Sequence, residues 1–319
     1  MMRKLLLLLC VLLGMQATRA EIRDTIVVAR DGTGQYRNIA EALEACRAFM
    51  DYEMLIYVKA GTYKEKLIVP AWLENIIIEG EDVERTVIIY DDHANIDHMG
   101  TFRTYTVRVD GNGITFRNIT IENNAPQMGQ AVALHTEGDR LTFINCRILG
   151  NQDTVYTGGP RTRLYFHGCY IEGTTDYIFG PSTAWFEACT LHCKRNSYLT
   201  AASTPEGVDI GYVFNHCRIT YSDDVSKMYL GRPWRDHAYT LFMHCDLGDK
   251  IRPEGWHNWK RPECEATVRY LEYANTGVSA TTDKRAAWSR QLTKREAKAV
   301  TLERAMAVVP DGWMPNVAP

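Results

Sequence analysis

Three short polar phrases interrupt the apolar pattern of this chain: Gln152-Asp153-Thr154-Val155-Tyr156, Asp176-Tyr177-Ile178-Phe179-Gly180 and Leu230-Gly231-Arg232-Pro233-Trp234. Asp153 and Asp176 are 23 residues apart, and so are Phe143 and Phe166, which belong to a recurring apolar phrase beside them. The shared interval places the aspartates at equivalent positions on neighbouring units of a repeat, about one strand spacing apart. Two carboxylates that close do not ionise together easily, so one should titrate high and the other low. A split of that kind separates an acid from a nucleophile or base. An arginine beside the pair, here Arg232, would orient one carboxylate and hold it ionised through a two-pronged contact. Trp234 offers a flat apolar face suited to a sugar ring. Spacing alone leaves a second reading open, in which Asp153, Asp176 and Arg232 form a polar ladder that merely joins structural units.

The elements that would position these groups follow from the repeat. An aromatic residue, a gap of two, Cys or Ile, a gap of one, then Ile or Leu occurs at Phe116 (with Ile119 and Ile121) and at Phe143 (with Cys146 and Ile148). It returns at Phe166, Phe186, Phe214 and Phe242, with Cys169, Cys189, Cys217 and Cys245 three residues on. The intervals between these phenylalanines are 27, 23, 20, 28 and 28 residues. Each phrase is too short for a helix, is rich in aromatic and β-branched residues and is bounded by Gly, Asn or Asp, which marks strands. A variable interval of this size fits a solenoid coil of about three short strands with loops of unequal length. The fold class expected is therefore all-β, a right-handed parallel β-helix, in which Ile119 and the five cysteines stack as one column. A β-sandwich would show alternating hairpin signals and no fixed phrase.

Solenoid ends need covering, because open strand edges invite aggregation. Asn38 followed by Glu41 reads as a helix start, with Ile39, Ala42, Leu43 and Cys46 on one face; this short helix is the expected N-terminal cap. Thr293 and Glu296 mark a second start, and a C-terminal helix is expected from there to about Met306, packed along the outside of the coils.

Composition narrows the rest. The chain has 319 residues, 36 Lys plus Arg against 39 Asp plus Glu, and a formal charge of -3, which gives no reason to expect a nucleic-acid partner. Arg3 and Lys4, the apolar run Leu5 to Leu13 and the small residues Thr18 and Ala20 read as a secretory signal over residues 1–20, leaving residues 21–319 as one β-helix domain. The product is expected to be exported, to the periplasm or the extracellular space, without membrane attachment once the signal is gone, and to be a monomer. Nine cysteines in an exported chain suggest disulfides. Neighbours in register on parallel strands have poor disulfide geometry, however, so the column is expected to be reduced and buried. No Gly-x-Ser-x-Gly elbow is present. A zinc site at Cys189, His192 and Cys193 is disfavoured because Cys189 already belongs to the column, and no metal or cofactor is expected.

These phrases, in this order, resemble the pectin methylesterases, or pectinesterases, and the chain is identified as a secreted, bacterial-type member. The likeness begins at Asp31-Gly32-Thr33-Gly34 and continues through Gly61-Thr62-Tyr63-Lys64-Glu65, Thr101-Phe102 and Gln130-Ala131-Val132-Ala133-Leu134. Beyond the three polar phrases it includes Pro253-Glu254-Gly255-Trp256 and Glu272-Tyr273-Ala274-Asn275-Thr276-Gly277, reaching about Trp288. The family fold, a right-handed parallel β-helix, agrees with the repeat.

The resemblance implies hydrolysis of galacturonate methyl esters in pectin (homogalacturonan). By it, Asp176 is the nucleophile, and Asp153 the general acid toward methanol and then the base toward water. Gln152 and Gln130 stabilise the oxyanion, Arg232 orients Asp176, and Trp234 and Thr101 contact substrate, with Phe179 and Tyr229 as further wall residues. Substrate contacts are also implied for Gln130 and Arg232. Thr175 and Tyr177 depart from the Val and Phe that many relatives have beside the nucleophile, and the stretch between Asp176 and Arg232 is compact compared with plant relatives. Two alternatives belong beside this reading: a same-fold esterase acting on another acyl ester, and a non-catalytic pectin-binding solenoid. Pectate lyases and polygalacturonases share the fold, but the Gln152-Asp153 pairing argues against both.

Overall fold

The computed structural model describes residues 22–316, so the signal-like segment 1–20 lies outside the described residues. Short strands follow one another around a three-sided prism. Thr115–Arg117, Thr120–Asn123 and Leu134–Thr136 make one turn; Leu141–Ile144, Arg147–Leu149 and Val155–Thr157 make the next. Stacking these turns gives one eleven-stranded and two seven-stranded sheets, with every pairing parallel. The coils wind right-handed, the sense that parallel strand connections favour.

The repeat read from the sequence is the register of the eleven-stranded sheet. Phe116 pairs with Phe143, Phe143 with Phe166, Phe166 with Phe186, Phe186 with Phe214 and Phe214 with Phe242. Their rings stack inside the prism in nearly parallel planes, with centroids 5.5, 4.7, 4.6, 4.5 and 4.4 Å apart in that order. All six are fully buried. Stacking at this spacing adds to the large hydrophobic contribution of each ring.

After each of these strands the chain turns, and the first residue of the turn is left-handed. Asn118, Asn145, Gly168, Ala188, His216 and His244 all have φ between 48° and 59°. Asn and Gly suit that conformation; Ala188 holds it against the Cβ clash, at about 1–2 kcal/mol. The residue after each is Ile119 or a column cysteine. The five cysteine thiols donate to the backbone carbonyls of Phe116, Phe143, Phe166, Phe186 and Phe214, one coil back, at 3.3–3.7 Å. Cys is therefore favoured here because it fills a small apolar space and still offers a weak donor to a carbonyl at a tight corner. The eight cysteines among the described residues are free, and the column is buried, as the register argument required.

The caps differ in detail from the sequence expectation. The N-terminal helix α1 spans Ile39–Glu44 and buries Ile39, Ala42 and Leu43, with Asn38 at its N-cap. Its free amides are met from elsewhere: the Glu65 carboxylate accepts from the N–H groups of Ile39 (3.1 Å) and Ala40 (2.9 Å). A carboxylate from the next turn of the solenoid replaces the local cap, and its charge suits the helix N-terminus. At the other end the single expected helix is two, α2 (Lys294–Lys298) and α3 (Leu302–Met306). Thr293 and Glu296 form the anticipated capping box, but Thr301 caps a fresh start, accepting from the Arg304 amide. The break lets Ala297, Ala305 and Met306 all reach the outer apolar face built by Tyr165, Trp185, Val213 and Leu241. Fully buried Arg163 fastens the following segment, bonding Asp139 and Asp311 and the carbonyls of Met306 and Val309. The Trp256 and Glu272 phrases turn out to be structural: the buried Glu272 carboxylate accepts from Trp256 Nε1 and from Arg285.

Candidate active site

Asp153 and Asp176 sit at the same corner of successive coils, each two residues before a strand of one seven-stranded sheet. Val155 pairs with Ile178 and Tyr156 with Phe179, so the aspartates are in register. Both take left-handed backbone, φ 66° and 48°. Asp tolerates this conformation better than most residues, and a shared strained corner at two acidic positions is typical of a site. Gln130 and Gln152 form a parallel bridge one position earlier on two successive coils. The repeat thus aligns two amides in one row and two carboxylates in the next.

Arg232 lies just past the strand Tyr229–Gly231, its amide bonded to the Thr200 carbonyl. It grips Asp176 with two prongs, Nε to Oδ1 at 3.0 Å and Nη2 to Oδ2 at 2.6 Å. Its guanidinium is held between two aromatic faces, 3.9 Å from the Tyr198 centroid and 3.6 Å from that of Trp259. Such contacts fix the plane of the fork as well as its charge. Trp259 is itself held in a left-handed turn, its amide bonded to His257 Nδ1 at 2.9 Å. Arg261 then ties that loop to Asp236 and the Pro233 carbonyl, beside Trp234.

Asp153 and Asp176 are buried, only 9% and 5% exposed as residues. Burial pushes Asp153 well above the usual carboxylate range, and the neighbouring Asp176 charge pushes it further, against a smaller pull from Arg232. Burial raises Asp176 too, but the hydrogen bonds and charge of Arg232 oppose the rise. The expected split into one high and one low group is therefore corrected: both rise, and Arg232 separates them by restraining Asp176. The arrangement can present a protonated acid beside an ionised, oriented carboxylate, with amide donors alongside.

A cavity of about 290 Å³ opens over these groups, lined by Thr101, Gln130, Gln152, Asp153, Asp176, Phe179, Arg232 and Trp234. Phe179 and Trp234 form a bent apolar wall, centroids 5.8 Å apart. Tyr229, expected in the wall, does not line the cavity. It is the register partner of Tyr198 and stacks on that ring at 5.2 Å, with Arg252 over its face. Phe102, Ala201 and Trp259 also line the cavity and escaped the sequence reading. Phe102 follows Thr101 directly and had a signal in that pair. Ala201 pairs with Phe179 and was readable only from register. Trp259 arrives on an irregular loop that the repeat does not describe.

Known proteins resemble this chain over most of its length. The pectinesterase family model matches residues 25–307. Pectinesterase 31 of Arabidopsis thaliana is 37% identical over 281 residues, 85% of this chain and 88% of that protein. A probable pectinesterase/pectinesterase inhibitor of Brassica napus is 33% identical over 309 residues, covering 92% of this chain and 52% of its own length. The chain spans about half the length of that and several other curated relatives. Among solved structures, pectin methylesterase from carrot superposes with a TM-score of 0.85 at 32% identity, over 91% of this chain and 96% of that one. These relatives are plant proteins, and they do not support the bacterial-type qualifier. Register, site and sequence match converge, and the chain belongs to the pectinesterase family.

Proposed function

We propose that the protein is a carboxylic ester hydrolase that removes methyl groups from galacturonate esters of pectin. The observation that carries this reading is the Arg232-clamped Asp176 carboxylate in register with a second, buried aspartate and a pair of glutamines. In this reading an Asp176 oxygen attacks the ester carbonyl carbon, and the electrons of the C=O bond move to oxygen. The Gln130 and Gln152 amides donate to that oxyanion. Collapse breaks the bond to methoxide, which takes the Asp153 proton and leaves as methanol, with the galacturonyl group now bonded to Asp176. Water attacks the acyl carbon, passing a proton to Asp153, and the released Asp176 carboxylate returns to the Arg232 fork. Thr101, Phe179 and Trp234 would hold the sugar.

Homogalacturonan is the polysaccharide partner on this reading. Export rests on the signal-like residues 1–20. Fractionating the producing cells and sequencing the N-terminus tests this; protein retained in the cytoplasm with Met1 intact would overturn it. The activity is tested by methanol release from methyl-esterified pectin by the wild type and by Asp176→Ala. The variant should lose at least about 10³-fold in rate and still be retained by pectin. An active Asp176→Ala protein would remove the nucleophile from Asp176.

A further inference from the structure

A second concavity, of about 350 Å³, lies on the outer face of the eleven-stranded sheet, on a different face of the prism from the catalytic cleft. Asn215, His216, His244, Tyr273, Lys294 and Lys298 are among its walls. Its sheet side is a braced platform. The His216 and His244 rings stack 5.1 Å apart, and Tyr273 meets His244 edge-on at 5.4 Å. Beneath them the Glu187 carboxylate accepts from Trp185 Nε1 (2.9 Å) and Asn215 Nδ2 (2.8 Å), and meets His216 Nδ1 at 2.8 Å. Asn215 Oδ1 in turn meets His244 Nδ1 at 3.0 Å.

The facing wall is α2, where Lys294 and Lys298 stand one turn apart on one side of the helix. Glu296, the acidic residue of that helix, is engaged by Arg290 and Thr293. Glu187 is committed to its three partners. Lys294 and Lys298 therefore bring positive charge to this wall with neither carboxylate claimed by them. Flat rings on one side and two cations on the other suit a ligand whose sugar rings carry carboxylates. The volume is within the range of small-ligand sites. On a chain of formal charge -3, a local cationic wall is what lets a polyanion settle at one place.

We propose that this concavity is a second carbohydrate site that binds de-esterified galacturonate oligomers, the product of the reaction, and tethers the enzyme to stretches it has already processed. Naming galacturonate rests on the function proposed above. A tether of this kind raises the effective concentration of neighbouring esters at the cleft without altering its chemistry.

The test is a titration of trigalacturonate into the full chain, followed by NMR at the His216 and His244 imidazoles, which report this face and not the cleft. Saturable shifts are expected, weakened about fivefold in Lys294→Ala/Lys298→Ala and restored in Lys294→Arg/Lys298→Arg. The double alanine variant should release methanol from a short methylated oligomer at the wild-type rate, yet lag on long, partly de-esterified pectin. Unmoved imidazole resonances, or equal affinity in the alanine variant, would overturn the site. Should the resonances move while the wild type releases no methanol from any pectin, the proposed activity falls and the anionic site stands.

Discussion

Along the inside of the prism the rungs read Phe116, Phe143, Phe166, Phe186, Phe214 and Phe242, whereas on the outside of one seven-stranded sheet they read Arg108, His135, Tyr156, Phe179 and Ala201. Both series obey the same parallel register. Inside, each coil faces the same surroundings above and below, so one ring size solves the packing at every level. Outside, each rung meets a different loop and solvent, and no single residue type is imposed. Chemistry collects on the heterogeneous face. There a buried pair of carboxylates and a stacked arginine can be accommodated without breaking the uniform interior that supports them.

That contrast can be broken from either side. The largest effect on the fold is expected inside: Phe186→Ala, which removes a ring stacked on both neighbours, should destabilise by about 3–5 kcal/mol in denaturant unfolding. A loss under about 1 kcal/mol would mean that the column does not carry the packing described. On the outer face, Arg232→Lys keeps a positive charge but loses the two-pronged, ring-stacked fork. Methanol release should fall about 10²-fold through misplacement of Asp176. Its pH profile should also move in a defined direction. Asp176 must be ionised to attack, and Arg232 restrains its upward shift. Weakening that restraint raises its pKa, so the acid limb of kcat should shift to higher pH. A rate loss with an unmoved acid limb would show that Arg232 positions substrate instead.

The smallest change sharpens the distinction between stability and function. Burial raises the Asp153 pKa above its unfolded value. The folded state is therefore relatively favoured below the unfolded carboxyl pKa, and this contribution is lost as pH rises toward the folded value. Asp153→Asn should thus be the more stable protein at neutral pH, by about 1 kcal/mol, and its advantage should vanish in acid while methanol release is lost. An Asn variant less stable than wild type at neutral pH would refute the burial argument.

Much of the site was legible because it obeys the repeat. Asp153 and Asp176 share the interval of Phe143 and Phe166; Gln130 and Gln152 came from the family resemblance, and the bridge that pairs them is a finding of the structure. Tyr229 stays out of the wall because Tyr198 and Arg252 take its ring, contacts that the family resemblance does not carry. The C-terminal helix was misjudged at Thr301, a second cap hidden inside a continuous helical composition. Asn38 was read as a local cap, yet the amides of α1 go to Glu65, 26 residues from Ile39.

By itself, then, the sequence determined the coil, its register, the reduced cysteine column and the alignment of the two carboxylates. These follow from a periodic pattern, and parallel pairing converts equal spacing along the chain into adjacency in space. The tertiary structure decided which carboxylate Arg232 grips, that Tyr198 and Trp259 enclose its guanidinium, and that Phe102 and Ala201 complete the cleft. Those contacts come from loops of unequal length folding back across coils, where no period relates one residue to its partner.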